Sequence, residues 1–404
     1  MQLRDFCSFV QGGRLGLTKQ DHYRSSGVPA FSAAGQDGYV DVVEFRDTDA
    51  VILSAIGANC GRCFLATGNW TTLANVQVII PRPSDAIAPF LHYRVNRDDY
   101  WPRSGSAQPF IKPSDIRLCW VALPPVPQQA AIAKVLDTLD TAIHETEAII
   151  AKLKAVKQGL LHDLLTRGID ANGELRPPQA EAPHLYKPSP LGWIPKEWEA
   201  PRLIAVSTRI TDGTHQSVKT VADSRGEVPF LFVSCVRDGE IAWDKAASIT
   251  KRDYVRISKG REPRPGMVLY TAVGSYGQAA EVGDKREFAF QRHIACIYPD
   301  ATQVVAGFMP VVLNWEPMRR YADRVALGNA QKTITLGELS LYPFVCPTRA
   351  EQEEIVRRLG IMQGKLAAEL QLMEKLQLQK EGLMDDLLTG RVRVTPLLQE
   401  AQHA

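Results

Sequence analysis

Two cysteines three positions apart, Cys60 and Cys63, are the first residues here whose spacing could do chemistry. A Cys-x-x-Cys pair can supply half of a tetrahedral zinc site or exchange thiol for disulfide. Zinc wants a second close pair of Cys or His, and the other cysteines, at 7, 119, 235, 296 and 346, form none. A redox pair should open a helix after a strand, whereas the flank "LSAIGANCGRCFLATGNW" is rich in Gly and Asn and reads as strand, turn, strand. The eight histidines show no His-x3-His spacing. No Asn/Asp-Pro-Pro-aromatic motif of an amino-methyltransferase occurs, no G-x4-G-K-[ST] phosphate loop and no G-x-S-x-G elbow. No lysine has an acid two residues before it, as common metal-dependent nucleases require. The expectation is a non-enzyme with no catalytic residue, no metal and no cofactor of its own.

Charge is the chemistry that remains. The formal net charge is only +2, but "KRDYVRISKGREPRP" (251–265) packs six Lys/Arg against Asp253 and Glu262. Such a run is either a solvated face or a phosphate-contacting loop. No apolar run of about 18 residues is present, and the first residues lack a signal-peptide core, so a cytoplasmic protein without a membrane partner is expected.

The elements that must position these charges are announced by a repeat. "KQGLLHDLLTRG" (157–168) returns as "KEGLMDDLLTGR" (380–391), 223 residues on (380 − 157). At that offset no gap is needed from Ala107 to Thr166, and nine of the fifteen positions from 152 to 166 are identical. Apolar residues step alternately by four and three: Ile132, Leu136, Leu139, Ile143, Ile150, Leu153, Leu160 and Leu164 in the first copy. The second copy has Ile355, Leu359, Met362, Leu366, Met373, Leu376, Leu383 and Leu387. This is a heptad seam. It is broken at matching heights by Thr146/Glu369 and Lys157/Lys380. Each copy predicts a helix of about 38 residues, roughly 57 Å long. Polar residues on a seam can fix register, and Gly159 and Gly382 suggest either close backbone approach or a bend.

A seam needs a partner, and the other copy is the obvious one. Because the second helix begins after the first has ended, the pair should run antiparallel. The expected fold is α+β: two α/β domains joined by two long helices in an antiparallel intramolecular coiled coil, with pseudo-two-fold symmetry. The boundaries are 1–122 (first domain), 123–167 (first helix), 168–195 (proline-rich linker), 196–345 (second domain), 346–394 (second helix) and 395–404 (tail). In the two domains "AVILSAIG" (50–57) and "GMVLYTAVG" (266–274) are strand candidates running into glycine turns. "NVQVIIP" (75–81) and "HIACIYP" (293–299) are further strands. Similarity between the domains is far weaker than between the helices.

Several phrases resemble the specificity subunits of type I restriction–modification systems. "LPPVPQQAAIAKVLDTLDTAI" and "CPTRAEQEEIVRRL" are similar to that family's helix entry. "LKAVKQGLLHDLLTRGI" is close to its usual coil phrase, and "SPLGWIPKEWE" to its lead into a second recognition domain. The first domain lacks that lead-in. The resemblance implies target-recognition domains that each read one half of a split, asymmetric DNA site. It implies a coil that sets the gap and docks two methylation subunits carrying S-adenosylmethionine, with restriction/translocase subunits joining them. The alternatives are a coiled-coil adaptor that does not bind DNA, or the specificity subunit of a methylation-only complex.

With double-stranded DNA as partner, side chains that suit phosphates and base edges become candidates. In the first domain they are Lys19, Arg24, Arg62, Arg103 and Lys112. In the second they are Thr214, His215, Lys219, Arg237, Lys251, Arg252, Arg292 and Lys332. The loop "TDGTHQS" (211–217) is the favoured reader, its small polar residues able to enter a groove. Gln108 and Gln331, matched across the repeat, are expected to be framework.

Overall fold

The computed structural model describes residues 1–105, 107–221, 228–237, 239–328 and 332–394. The chain forms two compact units, one of Met1–Ile149 with Glu369–Ala404, the other of Ile150–Ala368. The expected tail, 395–404, and Gln331 lie outside the described residues.

The first unit is built on strands β1 (Cys7–Gln11), β2 (Val28–Ser32), β3 (Gly35–Val40), β4 (Ala50–Ser54), β5 (Cys63–Ala66), β6 (Thr71–Thr72) and β7 (Val76–Pro81). One antiparallel sheet has the order β1-β7-β4-β5. A smaller one runs β3-β2-β6, its last pairing parallel. All five residues of β4 are buried, which explains why it reads as an unbroken apolar run. Alternate side chains point to opposite faces of a strand: Val51, Leu53 and Ile79 enter one core, while Ala50, Ile52 and Val78 enter another around Trp70.

The second unit repeats this plan with other residues. After a hairpin, β8 (Tyr186–Ser189) and β9 (Gly192–Pro195), come β10 (Ser207–Asp212), β11 (Val228–Leu231), β12 (Val236–Arg237), β13 (Glu240–Ile241) and β14 (Ala247–Ile249). They are followed by β15 (Val268–Thr271), β16 (Ala279–Glu281), β17 (Ala289–Phe290) and β18 (Ile294–Pro299). The sheets are β10-β18-β15-β16 and β14-β11-β17, the last pairing again parallel. Val268, Tyr270, Ala295 and Ile297 fill one side of the larger sheet; Leu269, Ile294 and Cys296 fill the other. The two domains thus share a topology that their divergent sequences conceal.

Two helices of 41 residues each, Val126–Thr166 and Arg349–Thr389, begin and end 223 positions apart. Each unit holds the start of one and the end of the other. In the first unit Ile132 and Leu136 pack with Leu387 and Leu388, and Lys380 pairs with Asp140. In the second, Leu164 packs with Ile355 and Leu359, and Lys157 bonds Gln363. In both, numbers rise along one helix as they fall along the other, so the helices run antiparallel within each unit. Gln363 stands 223 residues after Asp140, so the seam lysines meet matching positions in the two copies. The apolar seam residues are all buried or half-buried. A Cβ built at Gly159 or Gly382 meets nothing within 4 Å, so close backbone approach does not account for these glycines.

A buried glutamine fastens each helix start to its domain. Gln129 Nε2 donates to the carbonyls of Asp85 and Pro124, both at 2.8 Å, and its Oε1 accepts from Ile87 N at 3.1 Å. Gln352 Nε2 donates to Gln303 and Pro347 carbonyls at 2.9 Å, and its Oε1 accepts from Val305 N at 2.9 Å. Both side chains are fully buried, so each supplies the partners that buried polar atoms require.

The proline-rich segment is a folded part of the second unit. Its hairpin buries Tyr186 and Ile194, and the lead-in residue Trp198 is fully buried. Glu351, at the start of the second long helix, accepts from Arg176 Nη1 and Ile169 N, both at 2.6 Å, and from Trp198 Nε1 at 2.9 Å. A Cβ at Gly168 would lie 2.3 Å from Glu351 Oε1, so glycine is required there, where φ is +64°.

Candidate nucleic-acid interface

The basic run of the second unit folds as the helix Lys251–Ser258 and the loop after it. Thr250 caps the helix, its Oγ1 accepting from Asp253 N at 3.1 Å. Tyr254, Ile257 and Ser258 face the core, which turns Lys251, Arg252, Val255 and Arg256 outward. Lys251 pairs with Glu287 and lies 5.1 Å from the centre of the Tyr254 ring. Arg256 holds Asp253 at 2.7 Å and also bonds Gln216. Arg252 is exposed.

Arg256 and Arg261 bring this helix to the 211–217 loop, for Arg261 Nε donates to the Asp212 carbonyl at 2.8 Å. The turn between β17 and β18 joins from the other side. Thr214 bridges to Gln291, and Arg292 N donates to the Thr214 carbonyl at 3.1 Å. His215, Lys219, Arg292, Lys251 and Arg252 are therefore exposed cations or ring nitrogens on adjoining segments of one unit. His215 Nε2 lies 2.6 Å from Asp212 Oδ2.

Thr214 corrects the sequence reading. It is 6% exposed, and its hydroxyl accepts from Gln216 N at 3.1 Å. It shapes the loop from within instead of entering a groove, because its backbone is paired to β17 and turns the side chain inward. A Cβ at Gly213 would fall 2.3 Å from the Phe290 carbonyl, which fixes the same crossing. Arg237 stands apart, exposed on the β12–β13 hairpin opposite Glu240.

In the first unit the candidates form two groups. Lys19 pairs with Asp37, and Arg24 Nε holds Asp41 at 3.0 Å, so both lean on the β3 hairpin. Burial would raise the Asp37 carboxyl, but hydrogen bonds from Lys19, Tyr23 and Ser32 outweigh it and hold it below its usual range. Arg62 and Arg103 gather at the glycine turn after β4. The Arg103 guanidinium occupies the space a Cβ on Gly61 would need, 2.5 Å away. Lys112 is exposed at the start of the Pro113–Leu118 helix.

Beside that turn the repeat reappears. Ser104 and Phe110 exchange backbone hydrogen bonds at 2.8 Å, and Gly57 N donates to the Pro109 carbonyl at 3.0 Å. In the second unit Leu327 and Thr333 exchange bonds at 2.9 and 2.8 Å, and Gly274 N donates to the Lys332 carbonyl at 3.1 Å. Lys332 is exposed on this matched loop, as is Gln108 on the first.

Cys60 and Cys63 are buried thiols in the core under the first large sheet. Burial pushes the Cys63 thiol up to about 12 and raises Cys60 as well, so both stay protonated near neutrality. Sequence reasoning missed Arg209, Arg256 and Arg261, which tie the loops of the basic surface together. The density of cations in 251–265 signalled Arg256 and Arg261, whereas Arg209, on β10, lies outside that run. Among the described residues no helix is long and apolar enough to cross a membrane.

Residues 1–155 match the family model described as "Type I restriction modification DNA specificity domain". The chain is 23% identical over 357 residues to the type I restriction enzyme MjaVIII specificity subunit of Methanocaldococcus jannaschii, covering 86% of this chain and 80% of that relative. It is 24% identical over 241 residues to the EcoBI specificity subunit of Escherichia coli, covering 59% of this chain and half of that relative. Its fold resembles the crystal structure of the type I S subunit from M. genitalium, with a TM-score of 0.60 at 12% identity over 96% of this chain and 95% of that one. The first 155 residues thus match the specificity-domain model, and the curated relatives the chain resembles are specificity subunits of type I restriction enzymes.

Proposed function

We propose that the chain is the non-catalytic DNA-reading subunit of a methylating complex, and that each of its two domains reads one half of a bipartite, asymmetric site. The observation that carries this is the twin architecture. The same two sheets, the same glutamine fastening and the same docked loop occur twice, while the exposed residues on them differ. Two similar mounts with different surfaces suit two different half-sequences.

On this reading Lys251, Arg252, His215, Lys219 and Arg292 meet the duplex in the second unit, and Arg62, Arg103 and Lys112 in the first. Lysines and arginines hold the phosphates and set register, and a few reach base edges. The long helices set the gap between half-sites and dock two methylation subunits, which bring S-adenosylmethionine. The target adenine must leave the stack to be methylated. Restriction/translocase subunits complete a cytoplasmic nuclease.

The test is co-expression with the methylation subunit, followed by methylome sequencing. The expected result is a split motif with adenine methylation on opposite strands. A stable assembly that methylates no motif would contradict the reading.

A further inference from the structure

The seam lysine of the first unit belongs to a larger polar cluster. Lys380 pairs with Asp140 and lies 5.6 Å from the centre of the Tyr93 ring. Tyr93 stands on the domain helix Ala88–Val95 and is 5% exposed. Its hydroxyl is 2.7 Å from Asp137 Oδ1 and 2.7 Å from Asp140 Oδ2. A phenol has one proton to donate, so this hydroxyl is held between two carboxylates one helical turn apart. Burial, then the bonds to both carboxylates, push the phenol far above its usual range, so it remains a donor. Three elements meet in this cluster: the domain helix and both long helices.

Beside it the junction holds the Gln129 fastening and an apolar cluster that includes Phe90, Ile132, Leu136 and Leu387. Apolar contact is non-directional and tolerates small rotations, whereas a hydroxyl between two fixed carboxylates does not. The corresponding helix of the second unit, Phe308–Leu313, has only apolar side chains. There Lys157 bonds Gln363, which donates to the domain residue Glu240 at 3.2 Å, and among the described residues no tyrosine is bonded to Lys157 or Gln363. The two domains are therefore fastened differently although they share a fold.

We propose that Tyr93 is a positioning residue, which with Asp137, Asp140 and Lys380 fixes how the first domain is held on the long helices and so how strictly spacer length is read. This rests on the bipartite reading above.

The full chain, assembled with its methylation subunit, is offered duplexes carrying both half-sites with the gap at its natural length and one base pair shorter or longer. Tyr93→Phe is expected to raise methylation at the wrong gaps relative to the right one by about tenfold. Base preference within each half-site should not change. Asp140→Asn, which keeps the side chain's shape but breaks the ion pair with Lys380, should relax spacing in the same direction. Should Tyr93→Phe fail to fold, as judged by its melting curve, Asp140→Asn carries the test alone. Equal loss at all three gaps, or altered base preference, would overturn the proposal. If the unaltered protein methylated no split site, the bipartite reading itself would fall.

Discussion

At the scale of residues, the most consequential group is Glu351. It is buried and accepts from Arg176, Trp198 and a backbone amide, tying the segment after the first long helix to the start of the second. Removing one member of a buried pair strands the other charge. Glu351→Ala should therefore destabilise the protein by about 3–5 kcal/mol in a denaturant titration. A loss below about 1 kcal/mol would show that the pair is not needed. Exposed Arg252 should behave otherwise. Arg252→Ala should leave stability unchanged and lower the slope of log binding constant against log salt by about one phosphate's worth. An unchanged slope would remove Arg252 from the interface. Some of this was legible in the sequence: the charge density of 251–265 pointed at the helix that carries Arg252. Thr214 was not, since a small polar residue looks the same on a line of text whether it faces a groove or a neighbouring strand. Glu351 escaped notice because its partners, Arg176 in the proline-rich linker and Trp198 in the lead-in after it, stand more than 150 residues away in sequence.

At the scale of elements, the long helices were plain from the seven-residue period and from its repetition 223 residues on. The strands Ala50–Ser54 and Val268–Thr271 were plain as buried apolar runs ending in glycine turns. Their sheet order was hidden, because pairing joins segments whose similarity has drifted away. The recurrent glycines left two readings, close approach or a bend, and the first does not hold, since a Cβ at either meets nothing within 4 Å. Gly159→Ala and Gly382→Ala sit in helix interiors with open space for a Cβ, so each should stabilise by about 1 kcal/mol. Thermal melting of the double variant checks this; a fall in melting temperature would contradict it and show that the added methyl groups are not accommodated.

At the scale of the whole molecule, the repeat foretold that one design is used twice, and the structure extends that duplication from the helices to both sheets and the docked loops. The central claim is that the helices set the distance between two half-site readers. Residues 145–151 lie between Asp140 and Lys157 on the first helix, and 369–375 lie between Gln363 and Lys380 on the second. Deleting both heptads keeps the seam period and both polar pairs, and shortens each helix by about 10 Å, equivalent to roughly three base pairs. Methylome sequencing of cells expressing this variant with the methylation subunit is the most direct measurement. The account predicts the same two half-sequences separated by a gap about three base pairs shorter; an active complex with the gap unchanged would contradict it.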